Sequence, residues 1–123
     1  MLVKTSDLIG PALDWAVAKS AGATNLHYDT IATWWITLDG KDRALSKGWA
    51  QAFTPSIDWN HGGPVIFNKR ISIVQGPDII ASIFRPGVGF EFKERGPTVL
   101  VAAMRTYVAS QLGNTVEIPE ELC

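Results

Sequence analysis

The stretch that most limits what this chain can fold into runs from Gly96 to Gly113. Gly96-Pro97-Thr98 reads as a helix opening, with Pro97 suited to the first helical position. Leu100, Ala103, Met104, Tyr107, Val108 and Leu112 then form an apolar stripe at helical spacing, and Gly113 is a C-cap signal. Ala102, Ala103 and Ala109 are small enough to let this helix lie close against a sheet. A helix of this kind needs a broad apolar surface to cover it, and the segment before it supplies one. Val65-Ile66-Phe67, Arg70 to Gln75, Ile79 to Phe84 and Phe90-Glu91-Phe92 are short β-type runs. Asn68-Lys69, Gly76-Pro77-Asp78 and Pro86-Gly87-Val88-Gly89 separate them, so they read as an antiparallel meander. Phe90 and Phe92 share one face and Glu91 and Lys93 the other, which predicts one buried side.

The N-terminal third has its own helix. Leu8, Ala12, Trp15, Ala16 and Lys19 recur at helical spacing, Leu13 and Val17 widen the face, and Ala21-Gly22 ends it. Thr5 or Ser6 can cap it, with Asp7 in the first turn. Pro11 leaves a second start open, at Gly10-Pro11. Met1 to Val3 reads as an edge strand or a lead-in, and Trp15 as a core anchor. Thr30 to Leu38 is β-branched and aromatic, so it reads as a strand, and Asp39-Gly40 as a turn. Trp34 and Trp35 point to opposite faces of such a strand. Lys41 to Phe53 stays undecided: Leu45, Trp49 and Phe53 suit a short helix, and Gly48 weakens it. The expected architecture is a single α+β domain, with a small antiparallel sheet packed against an N-terminal and a C-terminal helix.

Size and charge narrow the function. A chain of 123 residues fits one domain and can bury a sufficient core without a disulfide or metal. Hydrophobic content of 46% is that of a globular protein. The formal net charge of −1 gives no electrostatic reason to expect nucleic-acid or membrane-surface binding. The single cysteine, Cys123, has no partner for a disulfide or a metal site, which fits a reducing compartment such as the cytoplasm. No apolar stretch suggests a signal peptide or a transmembrane helix.

The chemistry concentrates in Thr54-Pro55-Ser56-Ile57-Asp58-Trp59-Asn60-His61-Gly62-Gly63-Pro64. Ser56 and Asp58 favour turns by bonding backbone N–H groups ahead of them. Gly62 and Gly63 permit positive φ and can form an anion-binding nest. Trp59 offers a face for stacking. The plainer reading is a structured loop in which Trp59 plugs the core. Arg105, at the edge of the C-terminal stripe, can reach an anion or carboxylate, or extend into solvent.

An enzyme needs a positioned nucleophile, base or metal. The two histidines, His27 and His61, have no metal-ligand spacing, and no nucleotide-binding loop motif is present. No metal and no cofactor is expected. The best catalytic arrangement is Asp58 with His61 as an acid–base pair of a small hydrolase. A binding module fits the residues better, with a nucleotide-like anion on Gly62-Gly63 and Arg105 and its base on Trp59. The alternative is a protein-binding module anchored by tryptophans of the 34–49 segment. The three differ in what they require: a concave pocket around Trp59, an exposed aromatic patch, or Asp58 and His61 within hydrogen-bond reach.

Three blocks resemble the phage NinX-like family, small proteins of unknown function from tailed phages and prophages. The first is Lys4-Thr5-Ser6 with Leu8, Gly10 and Ala12-Leu13-Asp14-Trp15-Ala16-Val17-Ala18. The second is Pro55-Ser56, Asp58-Trp59, Gly62-Gly63-Pro64 and Ile66. The third is Gly96-Pro97-Thr98 with Leu100, Ala102 to Arg105, Tyr107 to Ser110, Leu112-Gly113 and the ending Val116 to Leu122. Pro11 departs from the pattern, and Thr24 to Gln51 has no counterpart in it. The resemblance implies an accessory protein acting inside the host bacterial cell and no catalytic residues. The resulting expectation is a non-enzymatic phage protein of the host cytoplasm. Its site is Ser56, Asp58, Trp59, His61, Gly62, Gly63 and Arg105, and its role is counter-defence through a nucleotide-like ligand, or alternatively inhibition of a host protein complex.

Overall fold

The computed structural model describes residues 1–28, 33–87 and 90–122. In chain order its elements are β1 (Leu2–Lys4), a 3-10 turn at Thr5–Asp7, α1 (Gly10–Ser20), β2 (Thr24–Tyr28), β3 (Trp34–Leu38) and β4 (Lys41–Ala44). There follow α2 (Trp59–Asn68), β5 (Ser72–Gln75), β6 (Ile79–Arg85), β7 (Phe90–Gly96), α3 (Val99–Leu112), β8 (Thr115–Glu117) and a final 3-10 turn at Glu120–Leu122. The α+β class is as expected. The sheet is divided into three antiparallel units: β1-β8, β2-β3-β4 and β5-β6-β7.

The centre of the fold is α3. Thr98 caps it, its Oγ1 accepting from Val101 N at 3.1 Å. Pro97 therefore precedes the cap instead of occupying the first helical position. Leu100 to Met104 and Thr106 to Ala109 are buried, a wider surface than one stripe. The reason is that β6 and β7 cover one side of α3 while α1 and α2 cover others. Thr106 Oγ1 lies 3.0 Å from Ala81 O in β6 and 2.9 Å from Ala102 O, so one hydroxyl proton serves both carbonyls within the core. Gly96 allows the close approach of β7, because a Cβ there would stand 2.6 Å from Ala102 N.

The meander is present as β5-β6-β7, with Ala81 and Ile83 buried toward α3. Its expected first strand is not: Val65-Ile66-Phe67 form the second half of α2. A three-residue apolar run has no period of its own, and the capped helix upstream carries it along. The first helix takes the later of its two starts, with Pro11 at its N-terminus. Thr5 instead donates from N to Asn114 O at 2.8 Å and from Oγ1 to Gly113 O at 2.6 Å, which joins the chain ends beside β1-β8.

In the second sheet, Asp39 and Gly40 both have positive φ and turn β3 into β4. The early part of the strand expected over Thr30 to Leu38 includes residues 30–32, which lie outside the described residues. Trp34 packs toward the core with buried Ile36 and Leu38, and Trp35 stands on the opposite face. The Lys41 to Phe53 segment is β4 followed by turns, closed by a parallel bridge between Ala44 and Ala52. Trp15 lies in the core.

Candidate functional site

The segment from Thr54 is a helix entrance, not an open loop. Ile57 N and Asp58 N both donate to Thr54 O, at 3.1 and 2.9 Å. Asp58 then caps α2, its Oδ1 accepting from Asn60 N at 2.9 Å and its carbonyl from His61 N and Gly62 N. A carboxylate already occupies the positive end of this helix, where an anionic ligand would otherwise be favoured.

Ser56 is buried, and its N–H donates to Asp14 Oδ1 at 2.8 Å. Asp14 is only 2% exposed. Burial pushes its carboxyl up to about 6, against the opposing influence of the Ser56 N–H. The Ser56 hydroxyl itself is buried outside hydrogen-bond geometry with any described atom. Asp14 was missed as a site residue by sequence reasoning. Its signal was available: it is the one charged side chain within the run Ala12 to Ala18, all of which is buried.

His61 is also committed to structure. Its Nδ1 accepts from Thr54 N at 3.0 Å, and its ring stacks on Phe53 with centroids 5.7 Å apart. Accepting at Nδ1 places the proton of the neutral ring on Nε2. Arg43 Nη2, 3.4 Å from Nε2, is then a close neighbour and not a hydrogen-bond donor to it. Burial lowers the pKa of His61, the Asp58 charge raises it and the Arg43 charge lowers it further. Asp58 Oδ2 stands 3.7 Å from Nδ1, beyond hydrogen-bond reach, and Nδ1 is already occupied. The geometry an Asp58–His61 acid–base pair requires is therefore not formed here.

The glycines do not form a nest. Gly62 and Gly63 are both helical. A Cβ on Gly62 would stand 2.6 Å from both Pro55 O and Leu100 Cδ2, so Gly62 is where α2 meets its own entrance and α3. On Gly63 a Cβ would stand 3.8 Å from Trp59 Cε3, which puts the indole alongside this bare turn. Trp59 does not plug the core: it is 58% exposed, Ile57 58% and Phe67 83%. Trp59, Gly63 and Phe67 are spaced by four and share one side of α2, while the partly buried Val65 and Ile66 pack on the core.

Arg105 is set apart from this group. Its Nε donates to Leu8 O and its Nη1 to Arg95 O, both at 2.8 Å. With Ser6, Ile80, Lys93, Glu94 and Arg95 it lines a cleft of about 440 Å³ that contains none of Ser56 to Gly63. Burial raises the pKa of Glu94, and the Arg105 charge opposes that rise. The sequence-predicted site thus divides into a structural part (Ser56, Asp58, His61, Gly62), an exposed part (Trp59 beside Gly63) and a separate cationic cleft (Arg105).

Among the described residues no group of three His, Cys, Asp or Glu side chains could hold a metal ion, and no helix is long and apolar enough to cross a membrane. Comparison with curated proteins returns no match. The family described as Bacteriophage P22, NinX matches residues 4–111. That span runs through the 24–51 segment, for which sequence reading found no counterpart, and includes Asp14, the α2 entrance and Arg105. With the greater part of its length matched, the chain belongs to the phage P22 NinX family.

Proposed function

We propose that this phage protein works by binding and not by catalysis, and that its principal contact is a protein of the infected host cell, engaged by the exposed side of α2. The observation that carries this reading is the exposure of Ile57, Trp59 and Phe67 within one short stretch. Large apolar side chains left in water at this density are the usual anchors of protein interfaces. Around them the backbone is rigidly held by the Asp58 cap, the Ser56–Asp14 bond and the Gly62 contact, so little order has to be gained on binding. Of the clefts described, none is lined by Trp59. Inhibition of a host defence or regulatory complex in the cytoplasm is the role such a surface would serve.

The test uses photo-crosslinking in infected cells, with a photoreactive group placed at position 67. A defined host protein should be captured, and Trp59→Ala should abolish the capture while leaving the melting temperature unchanged. Capture that is equal with and without Trp59, or sedimentation showing that this face merely joins two copies of the chain, would sink the proposal.

A second reading has its own observation. Arg105 is anchored by two carbonyls, with Lys93 and Arg95 beside it, and a small nucleotide-like anion fits that cleft better than the α2 entrance. Sequestering an anionic host signal would be the counter-defence role of such a site. Titration with a nucleoside monophosphate, followed by backbone NMR, should then move β7 resonances in the parent protein and not in Lys93→Ala/Arg95→Ala. Shifts confined to α2, or none, would remove this reading.

A further inference from the structure

The outer face of the second sheet carries a cleft that neither reading uses. His27, Trp35, Asp42 and Gln51 line about 320 Å³ of space there. His27 and Trp35 are cross-strand neighbours in β2 and β3, and Asp42 in β4 lies opposite Thr37, two residues along β3 from Trp35. These side chains therefore share one face of the sheet, the one turned away from the core.

Each described side chain lining the cleft offers an electron-rich group. Asn25 O can only accept, so its 2.8 Å contact with His27 Nδ1 puts the proton on Nδ1 and leaves a lone pair on Nε2 of the neutral ring. Thr37 Oγ1 donates to Asp42 Oδ1 at 3.0 Å, which orients the carboxylate and leaves its second oxygen outside that bond. Trp49 meets Trp35 edge-on, centroids 5.2 Å apart and planes at 72°, which braces the indole. The Gln51 carbonyl accepts from Ala44 N and Arg43 Nε, fixing the backbone from which its amide projects. The nearby cation, Arg43, turns away: its Nη2 bonds Ala52 O and its guanidinium lies over Phe53. Among the described residues, no cationic side chain lines the cleft.

We propose that this cleft binds an organic cation, an ammonium or guanidinium group, between the Trp35 indole and the Asp42 carboxylate. The indole face attracts a cation through its quadrupole, Asp42 supplies the opposite charge, and His27 Nε2 and the Gln51 amide oxygen accept its N–H groups. A free amine and the side chain of a partner's lysine or arginine present the same chemistry. The site is independent of α2 and of the Arg105 cleft, so its failure would leave the proposed function untouched.

The experiment is an NMR titration of the intact protein at constant ionic strength. The probes are butylammonium and methylguanidinium, with butanol and glucose as neutral controls, read at the Trp35 indole and the His27 ring. Saturable shifts with the cations and not with the neutral probes are expected. Asp42→Asn, which keeps an oxygen to accept from Thr37, should weaken them about fivefold, the scale of a partly exposed ion pair. Blocked lysine and arginine dipeptides form a second arm: tighter binding of these than of the free amines identifies a partner's side chain, and the reverse identifies a small amine. Equal shifts with butanol or glucose, no saturation, or an unchanged affinity in Asp42→Asn would overturn the proposal.

Discussion

Replacing Asp14 by asparagine keeps the side chain's shape and its acceptor for Ser56 N–H but removes its titration. In the folded protein burial raises the Asp14 pKa from 3.8 to about 6. The native state therefore holds this proton more tightly than the unfolded chain does. Linkage then fixes the sign: the group's stabilising contribution is complete below about pH 4 and is lost as pH rises through about 6. A difference of about 2 pKa units corresponds to about 3 kcal/mol. Urea denaturation of the parent and of Asp14→Asn at matched pH values isolates this group from every other carboxylate. Relative to the variant, the parent should lose about 3 kcal/mol between pH 4 and pH 7 and stay level above that, a change of about 10 °C in Tm for a chain of this size. The constant remainder measures the weaker bond that an amide oxygen offers Ser56. A level difference across the range would refute the reasoning. So would a parent that gains on the variant as pH rises, because that would mean the Ser56 N–H outweighs burial and holds the carboxyl below its ordinary value.

Three further outcomes follow from the same contacts. Gly62→Ala should destabilise by roughly 2 kcal/mol in chemical denaturation, since its Cβ meets Pro55 O and Leu100 Cδ2 at 2.6 Å; an unobstructed helical glycine would instead gain about 1 kcal/mol from the change. In an NMR pH titration the His61 ring should titrate below 6.5, because burial lowers its pKa and protonation at Nδ1 must break the Thr54 bond; its contribution to stability is present above pH 6.5 and is lost as pH falls below that value. Thr98→Ala should cost about 1 kcal/mol through loss of the α3 cap, while Thr98→Ser should restore most of it.

What could be read along the chain was whatever repeats locally. The α3 stripe, the β5-β6-β7 meander, the Trp34–Leu38 strand with its Asp39-Gly40 turn, and the division of Trp34 and Trp35 between faces all rest on periodicity or turn chemistry. Those depend on a few neighbouring residues, and they survive in the fold. Val65-Ile66-Phe67 misled because β-branched composition is a weak guide when a capped helix runs into the same residues. The Lys41 to Phe53 segment stayed undecided because its apolar spacing suited a helix, while its actual backbone bonds reach beyond a helical turn: Ala44 N to Gln51 O, Phe53 N to Ala44 O, and Leu45 N to Trp34 O.

The amino-acid sequence determined the α+β class, the N- and C-terminal helices and the family, because local spacing and three ordered residue blocks carry that information. It also marked the stretch from Ser56 to Gly63 as unusual. The tertiary structure alone decided what those residues do. Asp14, forty-two positions away, takes the Ser56 N–H; Leu100 and Pro55 explain Gly62; and Arg105 turns to Leu8 and Arg95 instead of to Trp59. A glycine that permits positive φ and a glycine that permits close packing are identical in a sequence. What separates them is the atom that arrives from another part of the chain, and with it whether Trp59 covers a core or stands exposed.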